Sequence, residues 1–145
     1  MRSPVDVPCR IRTHSPEETI AFGERLSERL GPGSVVGLFG VLGSGKTCLI
    51  KGICRGLGVS EPVTSPSFII INHYRGRLPI YHFDLYRINS AEELHELGYE
   101  EYFYGEGVCL IEWAERAGEL LPEGTVEVRL RYLGGTEREI EVRGI

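Results

Sequence analysis

The sequence predicts an α/β fold: one domain over residues 1–145, with a central sheet of mixed parallel and antiparallel strands flanked by helices. Three observations predict it. The apolar run Val35-Val36-Gly37-Leu38-Phe39 reads as a buried strand, and Gly40-Val41-Leu42-Gly43-Ser44-Gly45-Lys46-Thr47 follows at once, fitting G-x-x-x-x-G-K-[ST] at every fixed position. Leu49, Ile50, Ile53 and Leu57 then recur at helical spacing, so a helix begins at about Lys46. Further on, Val108-Cys109-Leu110-Ile111 is a continuous apolar run, the pattern of a strand covered on both faces. Strand, glycine-rich loop and helix in that order are the context a phosphate-binding loop requires, so the expected class is a single-domain P-loop NTPase fold.

The remaining elements follow from local pattern. Cys9 to Arg12 reads as a short strand. Ser15-Pro16-Glu17-Glu18 offers an N-cap, a proline at the first helical position and a capping-box glutamate. That helix presents Ile20, Phe22, Leu26 and Leu30 and should stop at Gly31-Pro32-Gly33. The helix after the loop should end near Gly58. Ser67 to Tyr74 and Leu78 to Tyr86 form two strands joined at Arg75-Gly76-Arg77, an antiparallel hairpin. Ser90 caps a short helix through Leu97. Val126 to Tyr132 and Glu137 to Val142 alternate in polarity about Gly134-Gly135, which predicts a closing hairpin. Repeats, low-complexity tracts and linkers are absent from the sequence.

Composition narrows the function. With 145 residues, 41% of them hydrophobic, the chain has material for one core. A net charge of −5 offers no overall electrostatic footprint for nucleic acid, which disfavours tight RNA or DNA binding by this chain alone. No apolar run approaches the ~20 residues that span a bilayer, and Met1 to Asp6 lacks the apolar core of a signal peptide. Cys9, Cys48, Cys54 and Cys109 form no C-x-x-C pair, and the last three sit among apolar residues; reduced, buried thiols are expected rather than a disulfide framework.

The chemistry centres on the loop. Its glycines let backbone N–H groups turn inward around a phosphate, and the helix N-terminus adds a positive dipole end. The nucleotide-binding set is therefore Val41, Leu42, Gly43, Ser44, Gly45, Lys46, Thr47 and Cys48, with Lys46 reaching the β and γ phosphates and the Thr47 hydroxyl ligating Mg²⁺. The metal needs a further carboxylate, because the loop supplies only one oxygen. Glu112 ends the buried run 108–111, where a strand-end acid faces the crevice at the sheet's carboxyl edge; Asp84 ends Ile80-Tyr81-His82-Phe83. On strand geometry Glu112 is the better ligand, and a capping role competes for Asp84. His82 lies near Asp84 on one strand face, which suits a supporting hydrogen bond better than catalysis. Thr64-Ser65-Pro66-Ser67-Phe68 lies where switch segments of nucleotide hydrolases sit, although an ordinary turn would read the same. Trp113, the sole tryptophan, is by default a packing residue, with a site-lining role open beside Glu112.

Together, Gly40 to Thr47, Ser65-Pro66-Ser67-Phe68, Tyr81-His82-Phe83-Asp84-Leu85-Tyr86-Arg87, the Glu92-Glu93-Leu94 to Leu97-Gly98 stretch and Leu110-Ile111-Glu112-Trp113 resemble the TsaE (YjeE) family over roughly residues 15 to 132. That family comprises small bacterial ATPases that support threonylcarbamoylation of tRNA adenosine 37. The resemblance implies ATP as substrate and Mg²⁺ held by Thr47 and Glu112. It puts an essential acid at Asp84, a switch-like serine at Ser65 and a functionally important tryptophan at Trp113. It also implies a TsaB–TsaD heterodimer as partner, with tRNA met only indirectly. The lack of a spanning apolar run and the reduced thiols predict no membrane and a cytoplasmic location. The lack of a placed base or of an arginine poised at the γ-phosphate, together with Val41, predicts slow, partner-dependent hydrolysis in isolation. The sequence departs from the family at Val41, usually aspartate, and Cys48, usually Thr or Ser. A backbone cradle tolerates both.

Rival classes fare worse. A small-molecule kinase needs an acceptor pocket and an arginine-bearing lid, for which 145 residues leave no spare helical insertion. A GTPase would show an N-K-x-D element, and the sequence has none. A nucleotide-dependent interaction module without catalysis is the main alternative, on the strength of Val41.

Overall fold

The computed structural model describes residues 10–40, 45–63 and 71–145. Cys9, the loop residues Val41 to Ser44, and the proposed switch with Ser65 lie outside the described residues. Seven strands form one sheet: β1 (Arg10–Thr13), β2 (Val35–Phe39), β3 (Ile71–Arg75), β4 (Pro79–Asp84), β5 (Val108–Glu112), β6 (Val126–Gly134) and β7 (Glu137–Arg143), in the order β1-β7-β6-β2-β5-β4-β3. β2, the strand that enters the phosphate loop, is central and runs parallel to both β5 and β6. β4 runs parallel to β5, while β3 and the β6–β7 and β1–β7 pairs are antiparallel, so the sheet is mixed as expected.

Alternation along the strands sorts the core into two layers. Val36, Leu38, Ile80, Val108 and Leu110 face α1 (Pro16–Ser27) and α2 (Lys46–Gly56), where they meet Phe22, Leu26, Leu49, Ile50 and Ile53. Val35, Phe83, Cys109 and Ile111 face α3 (Ala91–Glu96) and α4 (Tyr99–Phe103), where they meet Leu94, Tyr99 and Phe103. This two-sided burial is why β5 carries no polar residue before Glu112. Glycines set the α1–α2 distance: a Cβ at Gly52 would overlap the carbonyl of Ile20, and one at Gly23 would sit 2.5 Å from the Leu49 carbonyl oxygen.

Several boundaries differ from expectation for local reasons. Ser15 caps α1 by accepting the Glu18 N–H at 3.1 Å, but the Glu18 carboxylate reaches back to the His14 N–H (2.8 Å), one residue before the cap. The helix ends at Ser27, not at Leu30, because the N–H groups of Arg29 and Leu30 bond carbonyls three residues back and tighten the chain ahead of Gly31-Pro32. β4 ends at Asp84, two residues short of Tyr86, because the Asp84 carboxylate accepts the Tyr86 N–H (3.0 Å) and turns the backbone away. α4 was not foreseen, and neither were the 3₁₀ turns at Ala114–Arg116 and Gly118–Leu120. Cys54 and Cys109 are free and buried, whereas Cys48 is only half-buried.

Candidate functional site

The period of two that sorts the core also builds the site. On β4, Ile80 faces α2, so His82 and Asp84 share that face; on β5, Val108 and Leu110 face α2, so Glu112 does too. Parallel registers then bring the strand ends level: Asp84 pairs with Glu112, and Glu112 pairs with Leu38, two residues before Gly40. The carboxyl ends of β2, β4 and β5 thus converge where the chain enters the phosphate loop and returns as α2. In open α/β sheets this edge is where ligands bind.

Helix α2 opens at that edge with Gly45 in the left-handed region (φ 103°), no side-chain cap and no acid in its first turn. Its positive end is therefore not neutralised by its own sequence. Lys46 is buried, 5% exposed, yet carries a charge. Its Nζ donates to the Gly40 carbonyl at 2.6 Å and stands 3.8 Å from the centre of the Trp113 ring. Burial pushes this ammonium below the usual lysine range, against the pull of the carboxylates of Glu112, Glu115 and Asp84. Thr47 and Cys48 follow in the same turn, each half-buried.

Glu112 is buried at 5% exposure, which removes the exposed strand-end alternative. One oxygen, Oε2, meets His82 Nε2 at 2.6 Å. His82 therefore supports Glu112 rather than the nearer-in-sequence Asp84. Asp84 is half-buried, and burial pushes its carboxyl above the usual range; the Tyr86 N–H opposes that, the Glu112 charge adds to it, and His82 and Lys46 oppose it. Trp113 is the one non-glycine residue with positive φ among the described residues (φ 57°, ψ 45°). That conformation aims its ring over Lys46 and sets it at a tilt against Tyr86, 5.0 Å between ring centres, itself 46% exposed. The turn that follows is seated by Gly37, where a Cβ would come within 3.0 Å of the Ala114 Cβ.

Three carboxylates (Asp84, Glu112 and Glu115) act on one ammonium here, an excess of negative charge that suits a divalent cation. Among the described residues no group of three or more His, Cys, Asp or Glu forms a cage for a metal. Sequence reasoning missed Arg138, whose Cγ lies 3.5 Å from where a Cβ on Gly45 would stand. Arg138 stacks on Tyr132 (4.6 Å) and its Nε is buried without a partner among the described residues. It lines a cavity of about 40 Å³ with Pro16, Thr19, Gly45, Cys48 and Thr136. No local pattern marks it, since the β6–β7 hairpin carries it to the loop from 93 positions away in sequence.

A family model described as threonylcarbamoyl adenosine biosynthesis protein TsaE matches residues 13–140. The chain belongs to the TsaE family. A TsaE of Treponema pallidum, named as a tRNA threonylcarbamoyladenosine biosynthesis protein, is 46% identical over 92% of this chain and 98% of its own length. The TsaE of Bacillus subtilis is 45% identical over 89% of this chain and 81% of its own. A crystal structure of B. subtilis YdiB superposes with a TM-score of 0.76 at 41% identity, covering 92% of this chain and 82% of that one. The mixed sheet with its flanking helices is thus the fold of this TsaE relative as well. Among the described residues no helix is long and apolar enough to cross a membrane.

Proposed function

We propose that this TsaE-family chain binds and hydrolyses ATP with Mg²⁺, and that the cycle serves tRNA threonylcarbamoyladenosine formation through a TsaB–TsaD heterodimer in the cytoplasm. The observation that carries the proposal is the meeting of Lys46, Asp84 and Glu112 at the carboxyl edge of β2, β4 and β5, beside the uncapped start of α2. The names of the relatives supply the pathway.

Each side chain has a role set by its surroundings. The loop from Val41 to Cys48 offers backbone N–H groups to the phosphates, and Lys46 exchanges the Gly40 carbonyl for phosphate oxygens. Thr47 and Glu112 hold Mg²⁺, which when bound offsets charge on the β and γ phosphates. Asp84, held slightly basic by burial, orients the attacking water. Arg138 adds a cation beside Gly45 on the flank away from the carboxylates. Trp113 and Tyr86, in tilted ring contact and partly open to solvent, together with Ser65, pass the nucleotide state to the partner. tRNA is met only through that partner, in keeping with the net charge of −5.

The test is nucleotide turnover with and without the heterodimer, alongside titration of ATP followed by the fluorescence of Trp113. Lys46→Ala should lose both turnover and the fluorescence response, and the wild type should gain ~10³-fold or more if the partner supplies an arginine in trans. Binding without turnover, even in the full complex, would make this chain a nucleotide-dependent interaction module instead.

A further inference from the structure

We infer that His82 is a positioning residue for the divalent cation: its Nε2–H holds Oε2 of Glu112, so that the carboxylate presents Oε1 to the metal in one fixed orientation. The inference rests on Glu112 as the metal ligand proposed above. Registers place His82 opposite Leu110 and Asp84 opposite Glu112, so the imidazole reaches diagonally forward along one face to the strand end. The contact is 2.6 Å long, with the two side chains 1% and 6% exposed, short and dry enough to stop the carboxyl group rotating.

The rest of the imidazole shows what it is for. Tyr74 stacks against it (centroids 6.3 Å apart), and its Nδ1 is buried with no hydrogen-bond partner among the described residues. A carboxylate oxygen accepts, so in this contact Nε2 is the donor. A buried polar atom without a partner carries its full desolvation penalty. An apolar side chain would fill this buried place beside the Tyr74 ring at lower cost. Glu112 is the one side-chain hydrogen-bond partner of His82 among the described residues, so fixing Glu112 is what offsets the penalty. The arrangement matches the demand of Mg²⁺ for near-ideal octahedral geometry, which a freely rotating ligand meets poorly.

The experiment compares His82→Gln with His82→Asn in the full chain. A glutamine amide reaches about as far as Nε2, whereas an asparagine amide stops near Nδ1; both bury the same group. The probe is Mn²⁺, titrated into protein saturated with ADP and followed by the spin resonance of free Mn²⁺, with metal-free ADP binding measured in chelator. His82→Gln should stay within about 3-fold of wild type and His82→Asn should bind Mn²⁺ about 10–100-fold more weakly, with metal-free ADP binding unchanged in both. Equal Mn²⁺ affinity in the two variants, with Glu112→Gln weakened, would overturn the role of His82 alone. Unchanged affinity in Glu112→Gln would overturn the metal assignment and this inference with it. A measurement on the wild type stands independent of folding in the variants: ¹⁵N resonances of His82 should show the Nε2–H tautomer with Mg²⁺ and ADP bound, and the Nδ1–H tautomer would refute the proposal.

Discussion

Lys46 and Asp84 are both charged groups that the fold desolvates, and their discomfort is what makes them useful. An ammonium buried against Trp113 and a carboxyl raised by burial gain more from a phosphate or a water than their exposed counterparts would. For Asp84 this has a consequence for stability. Its folded-state proton affinity exceeds that of the unfolded chain, so the folded form is favoured at acid pH. That advantage is lost as pH rises from the ordinary carboxylate range through the raised folded value. Asp84→Asn keeps an acceptor for the Tyr86 N–H but cannot ionise. It should therefore unfold at a higher temperature than wild type at about pH 7.5, show little difference near pH 4, and lose turnover. Thermal unfolding at both pH values, with a rate assay, checks all three; a lower unfolding temperature at neutral pH would contradict the sign. At this scale the sequence was informative where chemistry is local. Lys46 and Thr47 stand in a motif, and Glu112 and Asp84 end apolar runs. The His82–Glu112 contact and the approach of Arg138 to Gly45 depend on strand register and hairpin placement, which no local pattern encodes.

Elements were legible in proportion to how strongly one period ruled them. β5 is apolar at four successive positions, and Leu49, Ile50 and Ile53 of α2 with its C-cap Leu57 recur at helical spacing, so both were plain. α4 has five residues, too few for a helical period to register, and its place rests on Tyr99 and Phe103 packing under the sheet. Nor does any pattern announce that β6 pairs with β2, since a hairpin signal says nothing about its outer neighbour. The α1–α2 contact yields a prediction that runs against helix propensity. Alanine is about 1 kcal/mol better than glycine inside a helix, yet Gly52→Ala would drive a methyl group into the Ile20 carbonyl. Overpacking of this kind costs about 1–3 kcal/mol, and here the obstacle is backbone, which yields less than a side chain. Gly52→Ala should lower the denaturant midpoint by the equivalent of about 1–2 kcal/mol once the propensity gain is subtracted. Gly31→Ala, with open space around the added methyl, serves as a near-neutral control. An unchanged midpoint for Gly52→Ala would show that the helices can part without cost.

As a whole the molecule places its clearest sequence motif at the end of its central strand. β2 carries the chain into the phosphate loop, but its two flanking strands, β5 and β6, begin at Val108 and Val126. A fragment of residues 1–107 would hold the complete G-x-x-x-x-G-K-T motif and lack both neighbours of β2, along with Glu112, Trp113 and Arg138. Such a fragment should bind a fluorescent ATP analogue at least 100-fold more weakly than the full chain, an order of magnitude argued from the long-range pairings it forgoes; affinity close to that of the full chain would show the motif acting alone. During synthesis the same order of strands imposes a delay. At about 5–20 residues per second, several seconds separate the emergence of Lys46 from that of β6. Through that interval β2 waits without either of its sheet neighbours. A ligand of this edge would therefore meet only the finished chain, in which β5 and β6 already flank β2.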